Sequence, residues 1–106
     1  MSEMTSVSSA FHTFIKEAPE HQRIWTETAQ QLGQVGKLDS KTEELAYIAV
    51  LAASRLESGI PFHVKHAKSL GATREEIISA VLVGLPAVGN AVIQALPAAI
   101  RAFDEE

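Results

Sequence analysis

Apolar residues recur along this chain at intervals of three and four, the spacing of one face of an α-helix. Val7, Phe11, Phe14 and Ile15 predict a first helix, which Pro19 closes. Pro19 also opens a second, through Ile24, Trp25, Ala29 and Leu32, ending at Gly33 or Gly36. Ser40-Lys41-Thr42-Glu43 reads as an S-x-x-E capping box. It predicts a helix carrying Leu45, Ile48, Ala49, Ala52 and Leu56. Next comes a helix with Pro61 in its first turn, an inward stripe of Ile60, Val64, Ala67 and Leu70, and a stop at Gly71. Thr73-Arg74-Glu75-Glu76 is a second box, starting the helix after it. A last helix is expected from about Asn90 to Phe103, kinked or restarted at Pro97. No period-2 alternation and no hairpin dipeptide interrupts the series. The expectation is an all-α fold of five or six helices with short connections.

Two segments are apolar nearly all round. On the Leu45 helix, Tyr47, Val50, Leu51 and Ala53 lie off the main stripe, and Ile77–Val88 behaves alike. A helix apolar on every face needs burial on every face, and a chain of 106 residues has little interior to offer. Self-association is therefore expected. Ile77 to Ile100 is long enough to cross a bilayer, but Gly84, Pro86, Gly89 and Pro97 punctuate it and no aromatic residue flanks it. Two buried helices joined near Gly89–Asn90 account for it better, so no membrane association is expected. The amino-terminal MSEMTSVSSAFHTF has neither the basic nor the apolar region of a signal peptide.

Composition narrows the function classes. Hydrophobic residues make up 46% of the chain, too many for general disorder. The formal charge is −4 with no basic run, which argues against nucleic-acid binding through phosphate neutralisation. There is no cysteine. That removes disulfides, thiolate nucleophiles and cysteine-based zinc sites, and is compatible with a cytoplasmic setting.

The chemistry that remains centres on Arg55 to Ile77. Ser58 or Gly59 can cap the helix that Pro61 opens, and His63 sits one turn in, at the edge of the inward stripe. The helix dipole and burial both disfavour a charged imidazole there, so His63 can serve as a general base or as a core-edge histidine donating to a carbonyl. Free N–H groups at the helix start can receive a carboxylate or enolate oxygen. His66, three residues on, lies at the boundary with Lys65 and Lys68 outside it, and Phe62 points away from the stripe, toward a partner chain. His63 and His66 lack a third ligand at fixed spacing, so no metal or other cofactor is expected. Glu44 stands in the row Glu44, Ile48, Leu51, Arg55, where it can pair with Arg55, serve His63, or remain a surface charge.

Three stretches, LDSKTEELAYIAVLAA, HVKHAKSLGATREEI and ISAVLVGLPAVGNAVIQALPAAIRAF, resemble the carboxymuconolactone decarboxylase family, which includes the alkylhydroperoxidase D-like proteins. The resemblance covers 38–106 as the core, with 1–37 as variable lead-in helices of one domain. It implies an oligomeric alkylhydroperoxidase D-like bundle, by family habit a homotrimer or homohexamer. The hydroperoxidase branch carries C-x-x-C-x-x-x-H. Its histidine aligns with His63, its relay glutamate with Glu44, and its cysteines with Leu56 and Gly59. Without thiols no dithiol peroxidase cycle is available. The decarboxylase branch also lacks those cysteines, and its LPLHLRAA matches GIPFHVKHA at Pro61 and His63. The resemblance thus implies proton transfer or decarboxylation on a small carboxylated lactone or related acid. Glu44 and His63 would be the catalytic pair, with Arg55, Ser58, Gly59 and His66 around an anionic substrate. The other expectation is a non-catalytic oligomeric binding or scaffold member.

Overall fold

A computed structural model of the chain describes residues 6–105. The first five residues of the amino-terminal segment, and Glu106, lie outside the described residues. Among those described, the fold is helical throughout, with six helices of nine residues or more and two single turns. The chain divides into two compact units, residues 8–38 and Asp39 onward.

The first unit is a helical hairpin of α1 (Ser9–Glu17) and α2 (Pro19–Val35). Ser8 caps α1 by accepting from the Phe11 N–H, and Gly36 comes directly after the end of α2. Phe11 and Phe14 meet edge to face at 5.9 Å. On α2, Ile24, Trp25, Leu32 and Val35 all remain exposed.

The second unit holds α3 (Ser40–Ala53), a 3-10 turn (Glu57–Gly59), α4 (Ile60–Ser69), α5 (Arg74–Leu82), the single turns α6 (Leu85–Val88) and α7 (Asn90–Ile93), and α8 (Leu96–Asp104). α3 packs on α4 and α5, and α8 packs on the same two, so the four long helices close a ring around one core. Ile48, Ile60, Val64, Ile77, Val81 and Val92 are its largest fully buried members. Seven of the fourteen buried apolar residues are alanines, so the helices can approach closely.

The helix ends explain where the elements stop. α3 begins one residue earlier than the S-x-x-E pattern suggests: Asp39, not Ser40, is the cap. Its Oδ1 accepts from the Thr42 N–H at 2.8 Å, and its Oδ2 from the Thr42 hydroxyl. The negative charge of Asp39 there also interacts favourably with the helix dipole. The box at Thr73 forms as expected, with Thr73 and Glu76 bonding each other's backbone N–H. Glu76 also reaches Lys41 at 2.9 Å, tying α5 to α3.

α3 and α4 both end in a Schellman turn. In α4, Ala72 N–H bonds the Ala67 carbonyl and Gly71 N–H the Lys68 carbonyl, with Gly71 at φ 98°. In α3, Leu56 N–H bonds the Leu51 carbonyl and Arg55 N–H the Ala52 carbonyl, with Arg55 at φ 61°. α3 therefore ends at Ala53, short of the expected Leu56. The last helical stretch starts at Asn90 as expected, after Gly89 (φ 64°), and restarts as α8, with Pro97 in its first turn. No described helix is long and apolar enough to cross a membrane.

Candidate functional site

The crossing of α3 and α4 brings together two residues nineteen apart in the chain. His63 Nδ1 lies 2.7 Å from Glu44 Oε1. The same oxygen is 3.3 Å from His66 Nδ1. Glu44 sits in the first turn and a half of α3, and His63 and His66 are one helical turn apart on α4, so one carboxylate reaches both rings. The Glu44 side chain is 12% exposed, that of His63 24% and that of His66 42%. The group thus grades from a covered carboxylate to a solvent-facing imidazole.

Two aromatic rings wall His63. Tyr47 stands edge-on at 4.4 Å between centroids and Phe62 at 5.2 Å. Phe62 also lies 6.3 Å from the His66 ring. Its half-buried ring therefore packs beside imidazoles of its own chain, a contact that the wheel of one isolated helix cannot show. Tyr47 is legible in the sequence only as an apolar position. Its spacing of three from Glu44 is the available signal, since that places both on one face of α3.

The electrostatics of Glu44 derive from these contacts. Burial pushes its carboxyl up, but the hydrogen bond from His63 and the attraction of His63 and His66 outweigh burial, leaving it below the ordinary carboxylate value. A carboxylate at Nδ1 selects the tautomer with hydrogen on that nitrogen. The lone pair of a neutral His63 is then on Nε2, and an imidazolium would present Nε2–H instead.

The remaining candidate residues occupy other surroundings. Ser58 is exposed in the 3-10 turn, and Gly59 is half-buried at its end. A Cβ on Gly59 would lie 3.4 Å from the Leu51 Cδ atoms, so this position faces the core. The free N–H groups expected at the start of α4 are partly used: Gly59 donates to the Leu56 carbonyl, Ile60 to that of Glu57, and Pro61 has none to offer. Lys65 pairs with Glu105 at 2.8 Å, and Lys68 donates to the Phe103 carbonyl at 2.7 Å with its ammonium 4.6 Å from that ring's centroid. Lys68 thus engages α8, and Lys65 the residue just past its end.

Arg55 is not brought to Glu44. The two share a row on a helical wheel, yet about 14 Å of helix axis separates Glu44 from Ala53. Beyond Ala53 the chain turns away. Arg55 instead lines a cavity of about 360 Å³ with Glu57, Val88, Asn90, Ala91 and Gln94. Among the described residues, no three histidine, aspartate or glutamate side chains are grouped to hold a metal ion.

The helical ring, the paired carboxylate and imidazole, and the absence of cysteine describe a thiol-free member of a recognisable class. The model of the carboxymuconolactone decarboxylase family matches residues 19–102. The match covers most of the chain and begins at the first residue of α2, so the protein belongs to that family. A search of curated proteins returns no significant match.

Proposed function

We propose that this protein catalyses proton transfer or decarboxylation on a small carboxylated lactone or a related acid, with His63 as the group that moves the proton. The Glu44–His63 contact is the observation that carries this reading. When a carboxylate on a saturated carbon α, or vinylogously γ, to a lactone carbonyl leaves as CO2, the electron pair of the broken C–C bond passes into the carbonyl π system as an enolate or dienolate. A proton must then reach carbon. His63, held through Nδ1, presents Nε2 for that transfer and regains its proton from solvent. Glu44 acts only through the imidazole, fixing its orientation and stabilising its charged form, so it is a positioning residue. His66, at the exposed edge of the cluster, receives the substrate's anionic group. With no cysteine in the sequence, thiol peroxidase chemistry is excluded.

The test is a screen of lactone carboxylates for CO2 release and for a rise in melting temperature. A substrate found this way should be turned over by wild type and not by His63→Gln, while Glu44→Gln should lower kcat more than it raises KM. Turnover unaffected by His63→Gln would refute the assignment.

A specific observation favours a second reading, that the protein works as an assembly. Tyr47, Val50, Leu56, Val83, Val88 and Ile93 are exposed on the second unit. An apolar groove of about 500 Å³ between α3 and α5 is lined by Leu45, Ala46, Ala49, Ala80 and Val83. Surfaces of this kind support self-association, and the trimer or hexamer is what the family resemblance implies. Light scattering behind size-exclusion chromatography should return one of those masses, and a monomer at all concentrations would count against it.

A further inference from the structure

The two Schellman turns form a comparison within one molecule. Both close with the same pair of backbone hydrogen bonds, and both need a left-handed residue just past the helix. α4 uses Gly71 there and α3 uses Arg55. In that conformation a side chain crowds the next carbonyl, which is why glycine, and less often asparagine, is the usual occupant. The turn itself needs only backbone, so it gives no reason for an arginine. A favourable cation at a helix C-terminus gives little more, because a lysine or arginine one or two residues earlier would serve the dipole without the strain. Nor does a partner hold the guanidinium: Arg55 makes no ion pair or side-chain hydrogen bond among the described residues.

What the side chain does have is a cavity. The 360 Å³ hollow lies where the end of α3 faces the joint between α6 and α7, and its size suits a small molecule. Its walls combine one fork of guanidinium donors, the amides of Asn90 and Gln94, the acceptor-only carboxylate of Glu57, and an apolar side of Val88 and Ala91. A guanidinium pairs with a carboxylate through two parallel hydrogen bonds, and the amides can complete its remaining acceptor sites. Glu57 repels a second anion but accepts from a hydroxyl. We propose that this cavity binds a small hydroxycarboxylic acid, with Arg55 anchoring the carboxylate and Glu57 accepting from the hydroxyl. The site stands apart from the Glu44–His63 pair, neither of which lines it, and does not depend on the proton-transfer reading.

The proposal makes Arg55 a residue kept for binding at a cost in stability, and Arg55→Gly separates the two. In the full-length chain, L-malate and its deoxy counterpart succinate serve as probes at constant ionic strength. Binding is monitored by calorimetry and by NMR of the Arg55 Nε–H and the Asn90 and Gln94 side-chain amides. Malate should perturb those groups saturably and bind more tightly than succinate, and Glu57→Gln should narrow the gap. Arg55→Gly should melt higher than wild type without ligand, yet bind malate about tenfold or more weakly. A lower melting temperature for Arg55→Gly would make Arg55 a structural residue and overturn the proposal. So would unchanged malate affinity in that variant, no saturable response to either acid, or perturbations confined to His63 and His66.

Discussion

The Glu44 carboxylate lies 2.7 Å from the near nitrogen of the His63 ring, with Tyr47 and Phe62 closing on that ring from two sides. This contact joins α3 to α4 by a polar link beside an otherwise apolar interface. It engages Nδ1 of the His63 ring and leaves Nε2 outside the contact.

The tautomer of His63 is the most direct consequence. Long-range 15N NMR above the imidazole titration should find neutral His63 with hydrogen on Nδ1, against the usual preference of free histidine. In Glu44→Gln that bias should weaken. A neutral His63 carrying hydrogen on Nε2 in wild type would contradict the arrangement.

Acid stability depends on the lowered Glu44 carboxyl. Its folded-state value lies below the unfolded one of about 4.3. The sign is therefore that of a depressed acid: the contribution is complete above about pH 4.3 and is lost as pH falls through the folded value. The difference in melting temperature between wild type and Glu44→Gln should shrink from about pH 4.3 downward. A difference that stays constant down to pH 2 would show that Glu44 gains nothing from its partners.

The start of α3 offers a paired test. Asp39→Ala removes the side chain that holds the Thr42 N–H and should cost about 1 kcal/mol in urea denaturation. Ser40→Ala should change stability by less than about 0.5 kcal/mol, since Ser40 is only the first residue of the helix. The reverse order would return the cap to Ser40.

Gly71 provides the control for Arg55. At φ 98° with no atom within 4 Å of an added Cβ, Gly71→Ala suffers conformational strain alone. It should destabilise by about 1–2 kcal/mol. In the core, Ile48→Ala empties a fully buried site on α3 and should cost about 2–5 kcal/mol. Both are measured by the same denaturation.

Much of the helix plan is legible in the sequence because its signals are local. Thr73 and Glu76 form their box, Gly36 and Gly71 lie just past helix ends, and Ile60, Val64 and Ala67 are buried as their spacing predicts. Sequence and structure part where two local solutions compete. Asp39 and Ser40 are both good caps on adjacent positions, and only the backbone shows which of them stands outside the helix. Leu70 belongs to the inward stripe by spacing, but α4 ends before it and leaves it 36% exposed. For the site, Glu44 and His63 stand out through family resemblance and helical position. Phe62 and Arg55 have other surroundings than a single-helix wheel suggests, because a wheel carries no information about the neighbouring helix or about where its own helix stops.

By itself the sequence determined an all-α chain of this family, with its principal helices and no cysteine, since periodicity, caps and composition act within a few residues. Only the tertiary structure decided that one Glu44 oxygen serves both His63 and His66, that the lysines of α4 engage the end of α8 and the residue after it, and that Arg55 turns into a separate cavity. Those outcomes depend on the angle at which helices cross and on the residue at which each one ends. Shifting an end by one position rotates the next segment of chain by about 100°, given 3.6 residues per turn. Such a rotation decides which side chains meet, and no repeat of apolar residues records it.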